Sequence, residues 1–171
     1  MAVTYDPIAS QTLGSNQSTV TFSSIAASWT DLVLVVNAKA SGTATVTGAQ
    51  IYFNSDTNKA NYSFVAMYGT GSATGSFTWG SGTTQDHGPA PLVCTATNFC
   101  PSTVHINNYG NSTTYKSALS RSGDSSGSTY ASAGLWLNTA TINSITIYGP
   151  DSGTYSFVTG SYFGLFGIKA A

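Results

Sequence analysis

The sequence predicts an all-β, antiparallel β-sandwich, and three observations predict it. First, only 6% of the 171 residues are Asp, Glu, Lys or Arg, and Glu is absent. A typical soluble domain carries about 25% charged residues, and helix surfaces draw on Glu, Lys, Ala and Leu. Second, Ser, Thr, Gly and Asn alternate here with Val, Ile, Leu, Phe and Tyr, which is the vocabulary of strands. Third, clusters of Gly, Asn, Asp and Ser interrupt the chain at short intervals, and no helical period appears between them. Many short strands joined by such turns read as a sandwich or a barrel.

Residues 1–17 are mixed and polar, with Pro7 and Gly14, and are expected to form an N-terminal arm or a first edge strand. Residues 18–171 are expected to form one domain, since no repeat or boundary interrupts them. A domain near 150 residues buries roughly 70% of its unfolded surface, so a sizeable core is available. Residues 18–25 (STVTFSSI) alternate, with Val20 and Phe22 on one face. Residues 31–37 (DLVLVVN) are the strongest strand. Residues 44–46 and 50–54 follow as shorter strands, and 54–61 (NSDTNKAN) is a loop of turn residues. Residues 62–68 (YSFVAMY) resume a strand, 69–76 make a Gly-rich turn, and 77–79 a short strand. Residues 80–91 read as a loop holding Asp86, His87, Pro89 and Pro91. Later strands are expected at 103–107, 115–120, 130–137, 142–148 and 162–168.

Three of these strands, 31–37, 135–137 and 162–168, are apolar on both faces. An antiparallel sheet normally wets one face. A loop covers the second apolar face, or a neighbouring subunit does, and the latter implies a homo-oligomer. Low charge and ten Tyr suit an interface-rich surface. The interface candidates from these strands are Val33, Val35, Trp136, Tyr162 and Phe166.

Charge excludes some partners. The formal net charge is −1, and Lys39, Lys59, Lys116, Arg121 and Lys169 are scattered. A nucleic-acid binder needs clustered Lys and Arg, so no nucleic-acid partner is expected. The opening MAVTYDPIASQ lacks the basic and apolar regions of a signal peptide. The longest apolar run, 32–36, falls far short of the ~20 residues a membrane span needs. No membrane partner is expected, and the chain reads as soluble at synthesis.

Motifs with chemical meaning are weak. Gly123-Asp124-Ser125-Ser126-Gly127 matches G-x-S-x-G, but that motif needs a strand before it and a helix after it. A β-type segment follows instead, so a hairpin turn is the expectation. Six isolated Asp stand mostly beside turn residues, and no pair suggests the two carboxylates of a glycosidase. Asn54, Asp56 and Asn58 alternate as Ca²⁺ ligands can, but the bidentate Glu is missing. His87 and His105 have no Cys or Glu beside them. Cys94 and Cys100 flank TATNF: a disulfide across so short a loop is geometrically open, whereas a reducing cytosol leaves two free thiols. Their spacing is not a metal-binding C-x-x-C. No catalytic, cofactor or metal-binding residue is assigned. Trp29, Trp79 and Trp136 read first as packing residues.

The order of several segments resembles a known family. YDPIASQTLGS followed by VTFSSI and WTDLVLVV resembles the start of small tailed-bacteriophage virion proteins, including those of cyanophages. IYFNSDTNKANYS and HINNYGNSTTYKS continue the likeness, and LWLNTATINSITIYG followed by GSYFGLFGIKA resembles the terminal strands. The likeness leaves out roughly residues 70–100, and Ala26 stands where Pro is usual. It implies a jelly-roll-like sandwich and a capsid decoration (cement) protein on the outer surface of the phage head. Such a protein would be a homotrimer clamping neighbouring copies of the major capsid protein without covalent bonds. Tyr5, Pro7 and Ile8 would then contact the capsid as an exposed arm adding a strand to a partner's sheet. The alternative is a receptor-binding knob of a tail or head fibre. Its tip would be Trp79, Asp86, His87 and Phe99, gripping host surface glycans.

Overall fold

The computed structural model describes residues 5–42, 47–79, 88–90, 92–124 and 127–169, with the side chains of Thr47 and Trp79 left aside. The chain is an all-β, antiparallel sandwich. Among the described residues twelve strands run in order: β1 Asp6–Thr12, β2 Thr19–Phe22, β3 Asp31–Ala38, β4 Thr47–Phe53, β5 Tyr62–Gly69 and β6 Thr74–Trp79. They continue with β7 Leu92–Cys94, β8 Cys100–Asn107, β9 Lys116–Gly123, β10 Thr129–Trp136, β11 Ile145–Tyr148 and β12 Tyr162–Ile168. One 3-10 turn, Lys59–Asn61, precedes β5.

The large sheet has eight strands in the order β1-β12-β3-β8-β9-β10-β5-β6, and the small sheet has four in the order β2-β11-β4-β7. Period-two alternation decides which side chains meet between them. Leu32, Leu34 and Val36 of β3, Phe163 and Leu165 of β12, and Val104 and Ile106 of β8 point inward. They meet Val20, Phe22, Ile51, Phe53, Ile145 and Ile147 of the small sheet. Burial of this kind supplies roughly 25 cal/mol per Å² of apolar area, the main favourable term in the fold.

Trp136 anchors one end of the core at 1% exposure. Its ring stacks at 6.4 Å on Tyr62 and meets Phe53 edge-on at 5.7 Å. Its indole N–H donates to Asp56 Oδ2 at 2.8 Å, so the buried donor is satisfied. Asp56 also accepts from Asn61 Nδ2 at 2.8 Å and from the Asn58 N–H at 3.1 Å. Lys116 is fully buried, yet no carboxylate among the described residues pairs with it. Its ammonium donates to three carbonyls, of Asn111 at 2.5 Å, Thr114 at 2.9 Å and Thr139 at 2.9 Å. Burial pulls its pKa below the ordinary lysine value.

At the other end Trp29 lies over β12. A Cβ on Gly167 would sit 2.2 Å from the Trp29 ring, so only glycine admits this contact. The Trp29 indole donates to Asp6 Oδ2 at 3.0 Å, and Lys169 stands 3.7 Å from the same oxygen. These contacts tie β1 to the sandwich.

Most expected strands are present with ends moved by a few residues. The expected strand at 44–46 lies outside the described residues. Strand β7 has no counterpart among the expected strands; its three buried residues are too few for alternation to reveal. Residues 6–12 take the edge-strand alternative, pairing antiparallel with β12. Pro7 suits an edge strand because it lacks the N–H that a central ladder needs. The register shifts between Pro7 and Ala9, as at a β-bulge. Among the described residues no helix is long and apolar enough to cross a membrane.

Candidate functional site

The two sheets present opposite outer faces. The small sheet pairs Thr21 with Thr146 on its outer side, their hydroxyls 3.1 Å apart, while Gln50 and Tyr52 on the same side are buried. The large sheet turns apolar side chains outward. One cross-strand row runs Pro7, Phe166, Val33, His105, Leu119, Ala133, Val65, Thr78 across all eight strands. The next row runs Val35, Thr103, Arg121, Ala131, Met67, Ser76.

Side-chain size shapes this face. On β10 the outward residues are Ala131 and Ala133, both exposed, while β9 beside it carries Leu119 and Arg121 and β5 carries Val65 and Met67. Neighbouring strands lie about 4.8 Å apart, so the two walls stand roughly 9–10 Å from each other across an alanine floor. The result is a trough along β10. Its larger part encloses about 570 Å³, and a second part of about 440 Å³ continues it toward Leu135, sharing Val65, Leu119 and Ala133. Met67 is 62% exposed, Val65 50%, Leu119 49% and Leu135 39%. A contiguous apolar surface of this kind marks a contact site.

Polar groups sit at the trough's side. Arg121 lines it, and among the described residues no hydrogen bond or ion pair engages the guanidinium. His105 also lines it, held by Asp31 through a 3.2 Å contact from Nε2 to Oδ2. Asp31 accepts from the Asn108 N–H at 2.6 Å as well. A carboxylate holding a His resembles two-thirds of a hydrolytic triad. Ser120 and Ser132 do not supply the third member, because register turns them to the inner face, where their hydroxyls meet at 2.5 Å.

The other sequence motifs resolve into local structure. The G-x-S-x-G stretch falls between β9 and β10, where the Asp124 N–H donates to the Ser128 carbonyl at 2.9 Å and Gly127 has φ +88°; Ser125 and Ser126 lie outside the described residues. Strand β10 follows it, where the nucleophile motif needs a helix. Asn54 does not face a cation: its amide donates to the Thr141 carbonyl and its oxygen accepts from the Asn143 and Ser144 N–H groups. Among the described residues no three His, Cys, Asp or Glu cluster as metal ligands. Cys94 and Cys100 are both free and buried. Burial, together with the neighbouring Cys100, pushes the Cys94 thiol up to about 12.

Among the interface candidates, two need correction. Trp136 faces the core, because β10 turns its even-numbered residues inward, and Leu135 is the residue that faces out. Val33 faces outward but is only 6% exposed between Phe166 and His105, leaving little surface for a second chain. Val35, Tyr162 and Phe166 are half-buried on the outer face, with the Tyr162 and Phe166 rings closing over Gly164. Tyr5 is 51% exposed and lines the trough, and Pro7 is exposed. Ile8 is correctly a strand residue rather than part of a free arm, packed against the core. Phe99 is 41% exposed, its ring beside Gly160. Asp86, His87 and the Trp79 side chain lie outside the described residues.

Sequence reading missed Val65, Met67 and Leu119. The signal was present in YSFVAMY, whose two faces are both apolar, as in the three strands singled out. Leu119 has no such signal, since SALSRS offers a single large apolar residue and the register sends it outward.

Comparisons with protein families, with curated proteins and with solved structures each return no match for the chain.

Proposed function

We propose that the chain is a structural protein of a tailed-phage virion, a jelly roll that assembles as a homotrimer and decorates the outside of the capsid. The observation that carries this reading is the uncovered apolar outer face of the large sheet. On that face Val35, Tyr162 and Phe166 lie half-buried beside half-exposed Val65, Met67, Leu119 and Leu135, surface that a protein built for assembly covers with its partners.

Topology supports the jelly-roll part of the reading. Without the β5–β6 and β9–β10 hairpins, eight strands remain, ordered β1-β12-β3-β8 and β2-β11-β4-β7. Successive strands of this set alternate between sheets, apart from the β4–β7 pair, which is adjacent in the small sheet. Two four-stranded sheets wound in this way are the arrangement of two Greek keys. The ordered resemblance of the sequence to phage virion proteins supports the location.

In this reading subunits meet through Tyr162, Phe166 and Val35 on β12 and β3. The capsid is contacted near Tyr5 and Pro7, where edge strand β1 leaves one side of its ladder open to a strand from the major capsid protein. Contacts of this type are apolar or hydroxyl-based and respond little to salt. No catalysis is involved.

Quantitative mass spectrometry of purified particles tests the reading through copy number relative to the major capsid protein. Hundreds of copies per particle are expected of a lattice-wide decoration. A handful would place the protein on a fibre or tail and turn attention to host glycans, and none would overturn the virion reading.

A further inference from the structure

We infer that the trough along β10 docks an extended segment of a different protein chain, apolar at alternate positions and carrying one carboxylate that meets Arg121. This goes beyond the virion reading, because it specifies the chemistry of a partner whatever assembly the chain belongs to.

The floor sets the conformation of the occupant. Ala131 and Ala133 are two residues apart on one strand, a separation of about 6.6–6.8 Å. An extended chain repeats its same-face side chains at that interval, so two successive apolar side chains seat over the two alanines. The walls suit the same occupant. Leu119 on β9 and Val65 on β5 flank Ala133 in register, and both retain half their surface for a docking side chain to cover. A helix, with its wider body of about 10 Å or more, does not enter a trough of this width.

Charge sets the identity of the occupant. Arg121 flanks Ala131 in register and lines the trough with no ionic or hydrogen-bonding partner among the described residues. A guanidinium beside apolar walls is best satisfied by a carboxylate, which it can grip through two parallel hydrogen bonds. Among the described residues the carboxylate on this face, Asp31, is already engaged by His105 and by the Asn108 N–H. A second copy laid face to face would therefore bring no free carboxylate of this face, among the described residues, to Arg121. That argues for a different chain over self-association at this place. Closing water out of the trough strengthens the ion pair relative to one on open surface.

The test is selection of a random-peptide display library on the immobilised full-length chain, followed by binding isotherms of the enriched peptides. Enriched peptides are expected to alternate apolar and polar residues and to carry one Asp or Glu. Arg121→Gln is expected to weaken them about tenfold, equivalent to ~1.4 kcal/mol. It should leave unchanged the affinity of versions with Asn or Gln in place of the acid. Because Arg121 is exposed, this variant should keep the wild-type melting temperature, which separates lost docking from lost folding. A second variant, Ala133→Gln, fills the floor and should abolish binding of both peptide versions. Absence of enrichment, enriched peptides indifferent to Arg121→Gln, or a change in oligomeric state on Ala133→Gln would each overturn the inference. The last would assign the trough to a second copy of this chain.

Discussion

Leu119 on β9 stands directly across the ladder from Ala133 on β10, and Ala133 stands across from Val65 on β5. This large-small-large sequence turns a flat sheet face into a trough without any insertion or loop. Because Leu119 and Val65 are half-exposed, they contribute little to the fold. Replacing each with Ser should lower the unfolding free energy by only about 1 kcal/mol, the share of a half-buried side chain in a strand. The same changes should lower binding of a hydrophobic surface dye. Losses of several kcal/mol in a denaturant titration would mean that both side chains are packed beneath other parts of the chain.

Asp56 holds the Trp136 indole at 2.8 Å while closing its own loop through Asn58 and Asn61. Asp56→Ala leaves a buried N–H without an acceptor, which costs about 1–3 kcal/mol. Chemical denaturation should show that loss, with little change in the urea dependence. An unchanged midpoint would contradict the role given to this carboxylate.

Gly167 is required by the Trp29 ring rather than by backbone conformation. In Gly167→Ala the new methyl meets ring atoms at 2.2–2.4 Å, close to the root of the side chain where rotation gives no escape. Overpacking of this kind typically costs about 1–3 kcal/mol. Displacing Trp29 also breaks its bond to Asp6, so β1 should loosen. Hydrogen exchange should rise selectively at residues 6–12, and uniform exchange across the large sheet would count against this account.

The Cys94 thiol, pushed up to about 12 by burial, ties stability to alkaline pH. The folded state holds the proton between the ordinary value of 9.0 and about 12, whereas the unfolded state releases it. Stability is therefore fully present below pH 9 and falls as the pH rises toward 12. Tyr62 and Tyr109 are raised by burial as well and act in the same direction. Cys94→Ala should flatten part of this slope in unfolding curves measured across that range. At neutral pH neither cysteine should react with a thiol alkylating agent until the protein is unfolded. Rapid labelling of the folded protein would contradict the buried, protonated thiol.

Strand positions were legible where alternation ran for several residues, as at β3, β5, β10 and β12. Strand β7 was not, because three residues carry no period. The facing of a strand was harder to read than its existence. In Leu135-Trp136-Leu137 each residue suits a core, and only pairing to β5 and β9 fixes Trp136 inward and Leu135 outward. For β12 the two faces were separable, since Phe163 and Leu165 alternate with Tyr162, Phe166 and Ile168, and burial follows that division. The trough itself was not legible, because it arises from Ala131 and Ala133 lying between strands that are distant in sequence. Likewise Lys116 gives no sign of burial in YKSAL, where its three carbonyl partners come from two separate loops.

Sedimentation equilibrium of the full chain tests the assembly most directly, with wild type run beside a Tyr162→Ser, Phe166→Ser double variant. The account predicts three times the chain mass for wild type and a single chain mass for the double variant, with the variant's fold retained by circular dichroism. A wild type that stays monomeric at high concentration would contradict the claim that the outer face of the large sheet is built for assembly.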